Sequence, residues 1–61
     1  MKFRELENII KSDGWELKEV RGSHNQYIHP VKKGKVTIPA HGGDIPIGTL
    51  NNILKQAGLK G

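Results

Sequence analysis

The absence of cysteine is the feature that most limits how this 61-residue chain can fold. A domain of this size buries only about 60% of the surface that its unfolded chain exposes, so its stability is marginal. Small domains often add disulfides or a thiolate-bound zinc ion to such a core, and both require cysteine. The fold must therefore rest on apolar packing, and we expect one domain over residues 1–61.

Two segments, one near each end of the chain, have the apolar spacing of amphipathic helices. The first is followed by Gly14, which can adopt the left-handed conformation that ends a helix. The second is bounded by Pro46, which suits a first helical turn, and by Gly58, which suits the position after the last turn. The apolar positions are Phe3, Leu6, Ile9 and Ile10 in the first segment, and Ile47, Leu50, Ile53, Leu54 and Ala57 in the second.

Three short segments between the helices have the character of strands. Residues 15–21 begin with alternating apolar and charged side chains, and residues 35–39 also alternate. Residues 24–29, which lie between these two segments, are the remaining candidate strand, and Pro30 cannot continue that strand within a sheet. The order α-β-β-β-α predicts an α+β fold in which a three-stranded antiparallel sheet carries both helices on one face and leaves the other open.

Positive charge is concentrated after the first strand. The formal net charge is +4, yet residues 1–20 have a balance of −1 and residues 21–61 a balance of +5. A surface of this kind attracts a polyanion such as nucleic acid. The alternative interpretation is a solvated surface that only keeps the protein soluble.

The sequence also bears on location. No apolar run approaches the roughly 20 residues that span a bilayer. Acidic and polar residues interrupt any signal-peptide pattern near the N-terminus. Because the lack of cysteine also fits a reducing compartment, we expect a cytoplasmic protein without membrane association.

Histidines are the candidates for chemistry, because the chain lacks a phosphate-binding glycine-lysine loop, a cysteine nucleophile and a serine elbow. His24 follows Gly22-Ser23, so a sharp turn would present its imidazole outside the core. An imidazole, with a pKa near ~6.5, can accept the 2′-hydroxyl proton of RNA and donate a proton to the departing 5′ oxygen. RNA supplies its own nucleophile, so this reaction needs no metal or cofactor. The alternative is that His24 occupies an ordinary polar surface position.

The other histidines have different expected roles. Strand alternation places His29 on the face opposite His24, where we expect it to pack against Trp15 or Tyr27 rather than form a catalytic pair. His41 precedes two glycines and is a possible accessory proton-transfer group or a turn cap. The histidine spacings match no standard metal site, so we expect no bound metal.

Basic side chains near this region are candidates for binding the RNA backbone. Three lysines cluster about a predicted turn, where they could contact phosphates. The guanidinium of Arg21 could stabilise the charge that develops on a phosphorane. The alternative is a charged hairpin tip that only prevents edge-to-edge aggregation. The predicted RNA-binding residues are Arg21, Ser23, Lys32, Lys33 and Lys35.

Several short motifs keep the order and spacing of one known family almost from end to end. They are Gly14-Trp15, Gly22-Ser23-His24, His29-Pro30, Val36-Thr37-Ile38-Pro39, His41, Gly48-Thr49-Leu50 and Ile53-Leu54-Lys55-Gln56-Ala57-Gly58. In these motifs the chain resembles the HicA toxins of type II toxin-antitoxin systems. The resemblance implies a double-stranded-RNA-binding-like fold, cleavage of messenger RNA (mRNA) by a catalytic histidine at His24, and inhibition by a HicB-type antitoxin protein.

One position departs from the family pattern. Many members carry a second histidine directly after Gly-Ser-His, where this chain has Asn25. An amide cannot transfer protons as imidazole does, so the resemblance implies either a weaker nuclease or reliance on another group. The alternative function with the same fold and charge is a non-catalytic double-stranded-RNA-binding module, and a third possibility is a role only in docking to an acidic partner.

Overall fold

The computed structural model describes residues 1–40 and 42–60 and has the predicted order of elements. The sheet is antiparallel with the order β1-β2-β3, so each strand pairs with the next along the chain. Each strand is one residue shorter than the sequence pattern predicts. The elements are helix α1 at Phe3–Ser12, strand β1 at Glu16–Arg21, strand β2 at His24–Ile28, strand β3 at Val36–Pro39 and helix α2 at Ile47–Gln56.

The hydrophobic core lies between the two helices and one face of the sheet. Tyr27, Val36 and Ile38 share that face and are fully buried against side chains from both helices. No helix formed by residues 1–40 and 42–60 covers the opposite face of the sheet, which confirms the predicted α+β architecture with an open face. The buried core consists of Leu6, Ile10, Trp15, Tyr27, Val36, Ile38, Ile45, Ile53 and Ala57.

Both helices end in the hydrogen-bonding pattern of a Schellman motif. After α1, the amides of Gly14 and Trp15 donate to carbonyls of the last turn at 3.0 and 3.1 Å. Gly14 has a φ of 109°, and a Cβ at this position would lie 2.7 Å from His29 Nε2. Glycine is therefore required here both for the backbone conformation and for the close approach of the imidazole.

Strand β1 contains a bulge that alternation along the sequence does not predict. Leu17 and Glu19 pair with consecutive residues of β2, so Lys18 is an extra residue without its own partner. The insertion shifts the alternation by one position. As a result, Glu19 and Arg21 lie on the open face, whereas Leu17 lies on the helix-covered face.

Candidate active site on the open sheet face

A two-residue turn places His24 at the beginning of the central strand. Gly22 and Ser23 form this turn, and Arg21 and His24 pair across it. Gly22 has a φ of 58°, which fits the first central position of a type II′ turn, where glycine is preferred. His24 is exposed, as the Gly-Ser-His sequence predicts.

His24 lies in a row of residues that crosses the open face. The strand register pairs it with Arg21 on β1 and with Pro39 on β3. Directly opposed residues in antiparallel strands point to the same side of the sheet at close range. The imidazole and the guanidinium therefore share the open face as nearest cross-strand neighbours.

Arg21 is held in place by a carboxylate that the sequence analysis did not select. Its Nε donates a hydrogen bond to Glu19 Oε2 at 2.9 Å. This hydrogen bond, and to a smaller degree the charge of the guanidinium, lowers the pKa of Glu19 and raises that of Arg21. The two side chains stay charged at neutral pH, and the Arg21 side chain is 72% exposed, so its guanidinium is accessible to a ligand. In the sequence, Glu19 could have been selected because it lies two residues before Arg21 on the same strand, and such residues share a face.

The turn before His24 is also tied to the chain that follows β3. The amide of Ala40 donates to the carbonyl of Ser23 at 2.6 Å. This contact leaves the Ser23 side chain exposed at the tip of the turn. His41, the predicted accessory residue, follows Ala40 but lies outside the described residues.

Two of the three predicted lysines are exposed. Lys33 lies in the β2–β3 connection, and Lys35 directly precedes β3. Lys35 lies two residues before Thr37, which is on the open face, so strand alternation directs Lys35 to the same side. Both side chains are therefore accessible to a ligand, and that of Lys35 is on the side of the open face.

The third lysine has intramolecular partners on the helix side. Lys32 Nζ donates to Asp13 Oδ2 at 2.5 Å and to the carbonyl of Ala57 at 2.9 Å. Asp13 follows the last turn of α1, and Ala57 follows the last turn of α2. The ammonium of Lys32 therefore links the C-terminal ends of the two helices rather than joining Arg21 and His24 on the open face.

His29 has a structural position, and its predicted packing against Trp15 is confirmed. The two rings meet edge to face with centroids 5.2 Å apart. The His29 Nδ1 atom accepts hydrogen bonds from the amides of residues 31 and 32 at 2.9 and 3.0 Å. Nε2 must then carry the proton, which it donates to the carbonyl of Asp13 at 2.7 Å. Both ring nitrogens are thus used to hold the β2–β3 connection against the end of α1.

Asn25 lies on the opposite side of the sheet from His24. It pairs with Ile38, a core residue, and its amide donates a hydrogen bond to the Tyr27 hydroxyl at 3.5 Å. That hydroxyl donates in turn to Glu7 of α1 at 2.5 Å. The amide at this position therefore contributes to the contact between sheet and helix.

The open face offers a surface rather than an enclosed site. Within residues 1–40 and 42–60 there is no closed cavity. Over the same residues, no cluster of three or more His, Asp or Glu side chains is grouped so as to hold a metal ion. The helices in this part of the chain are too short and too polar to cross a membrane.

Comparison with known proteins gives a family match that covers nearly all of the chain. The family model for the HicA toxin of bacterial toxin-antitoxin systems matches residues 3–59. This range contains all five elements, including the turn that carries His24. The chain matches none of the curated proteins. On the family match, the chain belongs to the HicA toxins, a family whose members act within toxin-antitoxin systems.

Proposed function

We propose that this HicA-family protein is an endoribonuclease that cleaves mRNA, with His24 as its catalytic residue. The observation that carries the proposal is the row on the open face in which His24 lies directly across from Arg21. An exposed acid-base group beside a fixed cation is the combination that cleavage of a phosphodiester requires. Because the chain belongs to the HicA toxins, family membership supports RNA cleavage as its toxic activity.

The reaction is a transesterification within the RNA. His24 accepts the 2′-hydroxyl proton while the 2′ oxygen attacks the adjacent phosphorus, or it donates the proton that the departing 5′ oxygen takes up. The bond between phosphorus and the 5′ oxygen breaks, which leaves a 2′,3′-cyclic phosphate and a 5′-hydroxyl end. The nucleophile belongs to the substrate, so this scheme requires no metal. His41 is the candidate for the second proton-transfer group.

Arg21 stabilises the charge that forms on the phosphorane. Its Nε donates to Glu19, which orients the guanidinium, and the exposed side chain can still bind phosphate oxygens. The exposed Ser23, Lys33 and Lys35 bind neighbouring phosphates. Lys32 contributes positive charge at a distance, because its ammonium is bound to Asp13 and Ala57.

The partner in this proposal is an antitoxin of the HicB type. Family membership implies an antitoxin in general, and the open face that carries His24 and Arg21 is the surface that such a protein would cover to stop cleavage. Both proteins would act in the cytoplasm, where mRNA is translated. Release of the antitoxin would expose His24 and Arg21 together.

The test is cleavage of a defined mRNA by the purified wild type and His24→Ala in the presence of a chelator. We expect the variant to lose cleavage and to keep both RNA affinity and the circular dichroism spectrum, because His24 is exposed and outside the core. The wild-type products should end in 2′,3′-cyclic phosphates. A matched control is Ser12→Ala, a truncation at an exposed position at the end of α1. Equal activity in wild type and His24→Ala, or activity in neither, would instead favour a non-catalytic double-stranded-RNA-binding module.

A further inference from the structure

A second row of residues crosses the open face next to the row that contains His24. Gln26 pairs with Glu19 on β1 and with Thr37 on β3. Residues two apart on a strand share a face and are separated by about 7 Å. The side chains of Gln26 and Thr37 therefore lie beside His24 on the surface where we place the cleaved phosphate.

The polar groups of Gln26 and Thr37 are not used by the fold. Within residues 1–40 and 42–60, neither the Gln26 amide nor the Thr37 hydroxyl has a side-chain hydrogen bond. Both residues are only partly buried. An amide and a hydroxyl can each donate and accept, so the pair offers a set of hydrogen-bonding groups at the centre of the sheet.

The chemistry of this row suits a nucleobase better than a phosphate. Gln26 and Thr37 are neutral, and the row ends at Glu19, whose lowered pKa keeps it negatively charged. A phosphate would be repelled there and attracted to the neighbouring row with Arg21. The uncharged edge of a base, with its own donors and acceptors, matches an amide and a hydroxyl.

Recognition at this position would use hydrogen bonds rather than stacking. The chain has one Phe, one Tyr and one Trp. Tyr27 and Trp15 are buried, and Phe3 packs against the core, so none of the three is on the open face. Gln26 and Thr37 have no ring on which a base could stack, so a base at these two residues would be recognised by the groups along its edge.

We propose that Gln26 and Thr37 form a subsite that binds the base of a nucleotide adjacent to the cleaved phosphate. The proposal rests on the ribonuclease function, because it takes His24 as the position of that phosphate. In an RNA duplex the deep, narrow major groove keeps side chains from the base edges, so an amide and a hydroxyl on an open sheet can reach those edges when the base is unpaired. The substrate class is therefore mRNA that is single-stranded at the cut, and Gln26 and Thr37 are specificity-determining residues.

The experiment uses DNA oligonucleotides that each contain a single ribonucleotide. Only the bond after the ribonucleotide can be cleaved, since only that nucleotide has a 2′-hydroxyl. One set of four varies the base of the ribonucleotide, and a second set varies the base that follows it. The measured quantity is kcat/KM for each of the eight oligonucleotides with wild type, Gln26→Ala and Thr37→Val.

We expect the wild type to prefer one base by about tenfold in one of the two sets, the size of a single good amide contact. Gln26→Ala and Thr37→Val should flatten this preference and retain cleavage of the least preferred oligonucleotide. The matched control is Gln56→Ala, an exposed glutamine in the last turn of α2. It should keep the wild-type preference.

Equal cleavage of all eight oligonucleotides by the wild type, or an unchanged preference in both variants, would overturn the base subsite and leave the ribonuclease function intact. If the wild type cleaves none of them, cleavage of the defined mRNA decides whether the ribonuclease function itself fails. The subsite is then judged by fluorescence anisotropy of the all-DNA versions. A base preference in binding that both variants lose supports it, and equal affinities overturn it.

Discussion

The Glu19 carboxylate determines how the guanidinium of Arg21 is oriented on the open face. The hydrogen bond from Arg21 Nε holds the guanidinium against Glu19 on the face of the sheet that also carries His24. The same carboxylate places a negative charge where RNA must approach. The Glu19 carboxylate should therefore weaken RNA binding and speed catalysis. A residue that only stabilised the fold would not have these opposite effects.

Removal of the carboxylate should slow the reaction without weakening binding. For Glu19→Ala we expect kcat to fall on the order of tenfold, because Arg21 is no longer fixed where charge develops. KM should stay the same or fall, since a repulsive charge is lost. Steady-state kinetics on one single-ribonucleotide substrate measures both parameters.

Glu16→Ala is the control, since Glu16 is an exposed carboxylate at the other end of β1. The Glu19→Asp variant should recover part of the lost kcat. An unchanged kcat in Glu19→Ala, or a loss confined to KM, would remove Glu19 from a positioning role.

Lys32 connects three elements that the chain order keeps apart. It lies in the β2–β3 connection, and its ammonium binds a carboxylate at the end of α1 and a carbonyl at the end of α2. Helix C-termini carry partial negative charge, which a cation stabilises. Asp13 adds a further negative charge at the end of α1. The ammonium of Lys32 therefore offsets both the partial charge of the helix ends and the charge of this carboxylate.

The link between Asp13 and Lys32 should appear in the acid stability of the protein. The hydrogen bond from Lys32 is the main reason that the pKa of Asp13 lies below its ordinary value of 3.8. Because the pKa is lower in the folded state, the unfolded state takes up the proton first. The stabilisation is therefore present above the unfolded pKa and is lost as the pH falls through the folded pKa.

Thermal unfolding followed by circular dichroism between neutral and strongly acid pH tests this expectation. Asp13→Asn should have a lower Tm than the wild type at neutral pH and a smaller further decrease below pH 3.8. Asp44→Asn is the control, because Asp44 forms an exposed ion pair with Lys2 and such pairs contribute little. Identical acid dependence in Asp13→Asn and the wild type would contradict the role assigned to Lys32.

The whole molecule combines a small core with an uneven distribution of charge. Its nine buried residues are all apolar within the described part of the chain. Exposed cations adjoin the open face at Arg21 and Lys35, with Lys33 in the preceding connection. An open surface with several exposed cations, and no closed cavity among residues 1–40 and 42–60, suits a long polyanion that contacts the protein through many phosphates.

Salt dependence of RNA binding provides the test at this scale. Neutralising two phosphate contacts on single-stranded RNA should reduce the slope of log affinity against log salt concentration by about 1.4. We expect this for Lys33→Gln with Lys35→Gln, together with weaker binding to every sequence. The matched control is Lys11→Gln with Lys55→Gln, two exposed lysines on the helices. An equal change in slope for both pairs would show that total charge, rather than this surface, determines affinity.

Local patterns in the sequence predicted the elements and the exposure of His24. Apolar spacing depends on residues within one helix or strand, so it predicted both helices and all three strands. Glycine before Ser23 and His24 indicated a sharp turn, because few other residues tolerate its backbone conformation. Strand alternation also placed His29 on the face opposite His24 and led to its confirmed packing on Trp15.

The tertiary structure decided which charged groups accompany His24. Without the bulge at Lys18, alternation from Leu17 would put Arg21 on the helix-covered face, and the bulge exists only through pairing with β2. The partners of Lys32 lie 19 and 25 residues away along the chain. Periodicity is a short-range property, so it predicted the order of elements, whereas the distribution of cations between the open face and the helix ends depends on contacts between distant segments.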